Sequence, residues 1–204
     1  MSAPTPLPLY YFGPATWFAA VFQSEQVVFN AAERFPRRTN RHRCLVLGPN
    51  GPVQLSVYLQ HWSAGARMDE IKPSYTESWT KDHWNGIRAG YGRSPYFEHY
   101  ADYFEPLFSQ QFNSLVELNL AGLNACLMAL GLSPSYEVIT NASAEAIDTS
   151  AYPPMKPNIE QLRSAAYPFP EYPQVFADRF PFVPHLSILD LIFNEGPNAL
   201  QLLR

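Results

Sequence analysis

The sequence predicts an α/β fold in a single domain over residues 1–204, with a mixed β-sheet flanked by helices and a Pro-rich connector before a buried C-terminal helix. Three observations support this prediction. Strand-like and helix-like patterns alternate along the chain. Hydrophobic residues make up 47% of it and charged residues only 16%, so a sizeable core can form. The 20 prolines are densest in 153–184, which favours long ordered loops over a second domain.

The first elements are predicted to be a strand, a helix and a second strand. Pro8–Pro14 is the first strand and ends at a Gly-Pro turn, the helix covers Trp17–Gln23, and Glu25–Asn30 is the second strand. Because the connection is short, we expect the strands to be parallel with a right-handed crossover. Tyr11 then has two interpretations: it packs in the core, or it contacts a ligand at the carboxyl end of the first strand.

A basic run and a hairpin follow. Residues 33–43 hold five of the 14 Lys and Arg residues of the chain. They lead into strands predicted over Cys44–Leu47 and Val53–Leu59, which the turn signal Asn50-Gly51 joins into a hairpin. Cys44 lies in a strand pattern and Cys126 in an apolar helix, so both are expected to be buried small residues rather than a disulfide pair.

Two arginines of the basic run are candidates for binding an anion. Arg41 and Arg43 alternate into the first hairpin strand, so we expect their side chains on one face. Two guanidinium groups placed in this way can bind phosphate or carboxylate through paired hydrogen bonds. A solvated charged loop is an equally good interpretation of the other three arginines of the run, Arg34, Arg37 and Arg38.

The middle of the chain is predicted to be mostly helical. The first helix begins near Glu77 and carries an aromatic stripe at successive i, i+4 positions, namely Trp79, His83, Ile87 and Tyr91. His83 is the best acid–base candidate of the chain, although a histidine on such a stripe is more often structural. The other predicted elements are a short strand at Met68–Pro73, helices at Tyr96–Phe108 and Phe112–Leu130, a strand at Tyr136–Thr140, and a connector at 141–170 with a helical turn near 158–163.

The C-terminal helix has both ends marked in the sequence. Ser187 is its expected N-cap, with Asp190 at the spacing of a capping box, and Gly196 followed by Pro197 ends it. The residues between are apolar on nearly every face, so each polar side chain there, including Asn194, needs a partner or a ligand. For Asp190 we weigh two roles: completing the capping box, or binding Arg41 or Arg43 from a buried position.

Several of these stretches resemble the WbqC-like family. The resemblance is carried by His185-Leu-Ser-Ile-Leu-Asp-Leu-Ile-Phe-Asn-Glu-Gly-Pro197, by Arg41-His-Arg-Cys44, by the Trp and His-Trp pattern around His83, and by Tyr172-Pro-Gln-Val-Phe176. At position 42 this chain has His where the family pattern has an amide. The family is associated with clusters that build cell-surface polysaccharides, which implies a role in O-antigen-type biosynthesis.

Composition and missing motifs narrow the function further. A net charge of −4 argues against general nucleic-acid binding. No signal peptide and no apolar run long enough for a membrane span are visible, so we expect a cytoplasmic protein. There is no glycine-rich phosphate loop, metal-binding spacing or nucleophile elbow, and no motif identifies a cofactor.

The sequence therefore predicts a cleft that binds an anionic small molecule, and the family resemblance implies a nucleotide-sugar or an activated small metabolite as its ligand. Its expected catalytic residues are His83 and Asp190, and its expected ligand-binding residues are Tyr11, Arg41, Arg43, Tyr91, Ser187 and Asn194. Packing of the aromatic stripe against the C-terminal helix is expected to give His83 a carboxylate partner. Two function classes remain open: a transferase acting on a sugar precursor, and a non-catalytic ligand-binding or scaffold protein of the same pathway. A titratable His83 in a cleft favours the first, and a dry, buried His83 favours the second.

Overall fold

The computed structural model describes residues 5–36, 39–133, 135–140 and 169–204. Within these ranges it contains five strands, namely β1 (Thr5–Pro6), β2 (Val27–Asn30), β3 (Arg43–Gly48), β4 (Gly51–Ser56) and β5 (Tyr136–Ile139). The α-helices in the same ranges are α1 (Ala15–Gln23), α2 (Trp79–Tyr91), α3 (Phe97–Phe104), α4 (Leu115–Ala129), α5 (Ile188–Glu195) and α6 (Ala199–Leu202). Arg37, Arg38, most of the predicted connector and its helical turn lie outside the described residues.

The α/β fold class with flanking helices is confirmed, and the strands divide between two sheets rather than sharing one. β1, β2 and β5 form a parallel sheet in the order β1-β2-β5, with Thr5 opposite Val27 and Val27 opposite Tyr136. β3 and β4 form the antiparallel hairpin that the Asn50-Gly51 turn predicted. The parallel crossover from β1 through α1 to β2 is also confirmed.

The first strand is shorter and earlier than predicted. Leu7–Gly13 leaves the sheet and crosses the core, where the side chains of Tyr10, Tyr11 and Phe12 are all buried. Phe12 adopts φ +41°, which no strand residue has. The physical reason is that Pro6 and Pro8 lack the N–H groups that would continue the ladder, while three successive aromatic side chains gain more from burial on all sides.

The predicted strand at Met68–Pro73 is instead a 3₁₀ turn over Met68–Glu70. The amides of Met68 and Asp69 donate to the carbonyls of Glu33 and Ala31, which fixes a turn beside the basic run rather than a strand. The predicted helix over Tyr96–Phe108 is α3 followed by a 3₁₀ turn over Glu105–Phe108, where Pro106 interrupts the regular helical hydrogen bonds.

The core is built around α5. Seven of its eight residues are buried, and it contacts α1, α2, α3, α4 and β3. α2 also packs against β3, where its Gly90 approaches so closely that a Cβ there would sit 2.4 Å from the carbonyl oxygen of Leu47. The two signature helices therefore meet at β3. Among the described residues, no helix is long and apolar enough to cross a lipid bilayer.

Candidate functional site

His83 lies in the core, and no carboxylate of the described residues bonds its ring. Its side chain is 4% exposed; Nδ1 lies 2.9 Å from the Tyr11 hydroxyl and Nε2 lies 3.2 Å from the carbonyl oxygen of Ser56. Burial lowers the pKa of His83 to about 4, so the ring is neutral at pH 7. The predicted carboxylate partner is therefore wrong: the stripe does pack against α5, but through Tyr91, whose ring centroid lies 5.5 Å from that of Phe193.

Arg41 is part of the core and does not share a strand face with Arg43. It lies in the turn before β3 and is 1% exposed. Its Nε donates to Glu33 Oε1 at 2.7 Å, and its Nη2 donates to Glu33 Oε2 at 2.8 Å. Its third nitrogen, Nη1, donates to Thr39, so each guanidinium nitrogen bonds a protein oxygen. The predicted contact with Asp190 is wrong, because a closer carboxylate within the basic run pairs with Arg41 first.

Arg43 begins β3 and is half-buried. Its Nε donates to Nε2 of His42 at 3.0 Å. Accepting that bond requires a neutral His42 ring, and burial together with the nearby Arg43 charge lowers the pKa of His42 to about 4. The two arginines thus do not form a common binding site.

Ser187 is the N-cap of α5, as predicted. Its Oγ accepts from the amide of Leu189 at 3.3 Å, and Gly196 ends the helix with φ +52°. A Cβ at position 196 would meet the Tyr96 ring at 2.5 Å, so only glycine fits there. The capping box is wrong, because the carboxylate of Asp190 turns away from the helix start.

Asp190 is instead the centre of a buried polar network. Its Oδ2 accepts hydrogen bonds from the Tyr172 hydroxyl at 2.7 Å and from Gln174 Nε2 at 2.9 Å. Burial raises the pKa of Asp190 to about 6, and bonds from Tyr172, Gln174 and Tyr91 oppose that shift. Its Oδ1 is buried without a hydrogen bond of normal geometry to any described residue.

Gln174 joins this network to the surface. Its Nε2 also donates to the carbonyl oxygen of Val183 at 3.0 Å, and its Oε1 accepts from the Val183 amide at 2.9 Å. The side-chain amide is therefore saturated, and it fastens the segment Pro173–Arg179 to the chain leading into α5. The role of Asp190 that follows is to hold this segment in place.

The predicted site residues fall into two groups. Tyr11 and His83 contact each other at one end of the stripe, whereas Tyr91, Asp190 and Asn194 gather at the other. His83 and Tyr91 are eight residues apart on α2, which corresponds to about 12 Å along the helix axis. The structure therefore does not bring all predicted residues into one cleft.

A surface cleft opens beside the second group, and we call it the arginine cleft. It has two adjoining chambers of about 440 and 400 Å³ that share Arg93, Val175, Phe176 and Arg179. The Asn194 chamber, the larger, adds Ser94, Gln174, Asp178 and Asn194 to this shared wall. The Arg88 chamber adds Pro49, Arg88, Ala89 and Gly90.

Three guanidinium groups border this cleft, and all three side chains are exposed. Neither Arg88 nor Arg93 forms an ion pair with a described residue. Arg179 is held loosely, with Nε 3.7 Å from Asp178 and Nη1 3.3 Å from the carbonyl oxygen of Pro49. Arg88 also borders a separate depression with Glu98, Asp102 and Glu105. An anion in the arginine cleft would meet Arg88 and Arg93, which form no ion pair with a described residue, and Arg179, whose only such partner is the exposed carboxylate of Asp178.

Sequence reasoning did not point to these three arginines, because none lies in a charge cluster and Arg179 is more than 80 residues from Arg88 and Arg93. One signal does point to them. The Tyr172–Phe176 element, which was noted only for its resemblance to a family motif, supplies one wall of the cleft. Asn194, which the sequence predicts to bind a ligand, lines the larger chamber. In the described ranges, no group of three or more His, Cys, Asp or Glu side chains is placed to hold a metal ion.

Comparison with known proteins gives two matches and one negative result. The sequence profile of the WbqC-like protein family matches residues 9–152 and 138–202. Uncharacterized protein Rv1507c of Mycobacterium tuberculosis is 27% identical over 211 residues, which cover 90% of this chain and 89% of that protein. No solved structure matches the chain.

Proposed function

The chain belongs to the WbqC-like protein family, and from that premise we propose that it binds an anionic, activated sugar or similar small metabolite of cell-surface polysaccharide biosynthesis. The observation that carries this proposal is the arginine cleft, where Arg93 and Arg179 border both adjoining chambers and Arg88 borders one of them. Guanidinium groups bind phosphate oxygens through paired, charge-assisted hydrogen bonds. The association of the family with polysaccharide clusters supports the proposed pathway. The arginines of the cleft support an anionic ligand.

Binding without catalysis is the function that the geometry supports best. The strongest acid–base candidate, His83, is dry, neutral and hydrogen-bonded to Tyr11 and Ser56. It borders neither chamber of the cleft. The proposal places the protein in the cytoplasm as one domain, with a small molecule rather than nucleic acid as its partner, in keeping with a net charge of −4.

The test is thermal stabilisation by inorganic pyrophosphate at low ionic strength. A ligand at 100 times its dissociation constant adds about 2.7 kcal/mol to the stability of the folded state. We expect pyrophosphate to raise the melting temperature of the wild type, and high salt to reduce the effect. Arg93→Gln and Arg179→Gln should each remove most of it.

The matched control is Lys81→Gln, on the same helix as Arg88. Lys81 is exposed and borders neither chamber. If Lys81→Gln loses as much of the stabilisation as the two cleft variants, the effect of pyrophosphate depends only on the net charge of the protein. The proposed site would then be wrong.

Group transfer is a second candidate, and one observation favours it. Asp190 has a carboxyl with a pKa of about 6, one hydrogen bond behind the cleft residue Gln174. A carboxyl that titrates near neutrality can exchange a proton with a reacting group that reaches it. Incubation with nucleotide-sugars and chromatography for released nucleotide tests this candidate. Release by the wild type but not by a folded Asp190→Asn variant is the expected result if transfer occurs.

A further inference from the structure

The two chambers of the arginine cleft differ in chemistry, and the difference indicates how a ligand is oriented. Among the residues that the structure describes, the Arg88 chamber is bordered by three arginines and no carboxylate. The Asn194 chamber is also bordered by Arg93 and Arg179, on the wall that the two chambers share. It has in addition three hydrogen-bond acceptors, Ser94, Asp178 and Asn194. One chamber therefore suits negative charge, and the other suits groups that donate hydrogen bonds.

Two of the three acceptors of the Asn194 chamber, Asn194 and Ser94, are oriented by their own hydrogen bonds. Asn194 Nδ2 donates to the carbonyl oxygen of Asp190 at 2.7 Å, which fixes the amide and leaves Oδ1 without a bond to any described residue. Ser94 Oγ donates its proton to the carbonyl oxygen of Tyr91 at 2.6 Å, so toward a ligand it can act only as an acceptor. Asp178 is exposed and acceptor-only when ionised.

We propose that the ligand is a sugar esterified to a diphosphate, with the sugar in the Asn194 chamber and the diphosphate along Arg93, Arg179 and Arg88. This assignment rests on the proposed function and specifies it further. Sugar hydroxyls donate the hydrogen bonds that Asn194 Oδ1, Ser94 Oγ and Asp178 accept. The Asp178 carboxylate repels phosphate from this chamber, so the reverse orientation is disfavoured.

The test compares ligands that share the diphosphate and differ in the sugar. Dissociation constants are measured by isothermal titration calorimetry for pyrophosphate, UDP, GDP, UDP-glucose, UDP-N-acetylglucosamine and GDP-mannose. One or two extra hydrogen bonds to the sugar predict that at least one nucleotide-sugar binds about tenfold more tightly than its parent nucleoside diphosphate.

Two variants then identify the chamber that holds the sugar. Asn194→Ala should remove the tenfold gain while leaving the affinity for pyrophosphate within about twofold of the wild type. Asp178→Asn, at an exposed position, should bind pyrophosphate more tightly, because the repelling charge and the partner of Arg179 are both gone, and should lose part of the sugar gain. Lys81→Gln should match the wild type with every ligand.

The outcomes separate the two proposals. If pyrophosphate binds through the arginines but no nucleotide-sugar exceeds its parent nucleotide, the sugar assignment is overturned and the anion site stands. A sugar gain that survives in both Asn194→Ala and Asp178→Asn also overturns the assignment, because the sugar then lies elsewhere. If neither pyrophosphate nor any nucleotide binds, the proposed function itself is wrong.

Discussion

Arg41 and the arginines of the cleft show two opposite uses of the same side chain. Arg41 comes from the basic run, is 1% exposed, and is paired through two bonds with Glu33. Arg88 and Arg93 at the end of α2, and Arg179 before α5, lie outside that run and remain exposed. A buried charge must be neutralised by the protein to be tolerated at all, whereas an exposed charge stays available to a ligand. Clustering of arginines along the sequence therefore did not indicate the proposed binding site.

The first prediction tests the buried side of this comparison. Glu33→Gln leaves Arg41 charged, buried and without its counter-ion, so we expect a loss of about 3–5 kcal/mol in the free energy of unfolding. Arg179→Gln, which removes an exposed arginine, should change that free energy by less than about 0.5 kcal/mol. Urea unfolding of both variants gives the values. If Glu33→Gln and Arg179→Gln lose similar free energies of unfolding, the contrast between the buried and the exposed arginines is wrong.

The second prediction concerns His83 and the dependence of stability on pH. Its pKa is about 4 in the folded state, against an ordinary value of about 6.5. The neutral ring is favoured by folding, so its contribution is complete above pH 6.5 and is lost as the pH falls toward 4. Between pH 7 and pH 4.5 the wild type should lose about 2–3 kcal/mol more than His83→Gln. If the two proteins lose the same free energy of unfolding over that range, His83 is not buried away from water.

The third prediction is that Asp190 changes stability with pH in the opposite direction to His83. Its folded pKa of about 6 exceeds the ordinary value of 3.8, so folding favours the protonated carboxyl. Acidification from pH 7 to pH 4.5 should therefore stabilise the wild type relative to Asp190→Asn by about 2 kcal/mol. Urea unfolding of the pair at the two pH values measures the difference. A constant difference would mean that Asp190 is solvated, and that it does not hold the cleft wall from a buried position.

The smallest expected effect is at the helix cap. Ser187→Ala removes one long hydrogen bond to Leu189, so we expect a cost of about 1 kcal/mol. Stabilisation by pyrophosphate should be unchanged, because Ser187 borders neither chamber. Loss of the pyrophosphate response at normal stability would instead place Ser187 in the binding site.

Features set by neighbouring residues could be predicted from the sequence. The Ser187 cap, the Gly196 stop and the Asn50-Gly51 hairpin each depend on a few adjacent positions, and each is present. Partner choice could not be predicted in this way. Arg41 pairs with Glu33 rather than Asp190, and Asp190 with Tyr172 and Gln174, because burial selects whichever polar group the fold brings nearest.

The position of the cleft could not be predicted from the sequence for a related reason. Arg93 and Arg179 share a wall only because Gln174 fastens the Pro173–Arg179 segment beside α5. No local pattern records that placement. The polar residues of the C-terminal helix did give a partial signal, since Asn194 borders the cleft and Asp190 lies one hydrogen bond behind it.

The parallel sheet has a consequence for how the chain reaches its fold. β2 is the central strand, and its partner β5 lies more than 100 residues further along the sequence. A chain growing from its N-terminus can pair β2 with β1 early, but the other edge of Val27–Asn30 stays open until Ile139 has been made. Contacts of such long sequence separation form slowly, and an open apolar edge can pair with another chain in the meantime. The sheet is therefore the element most exposed to misassembly during synthesis, whereas the β3–β4 hairpin, closed by a local turn, can form early.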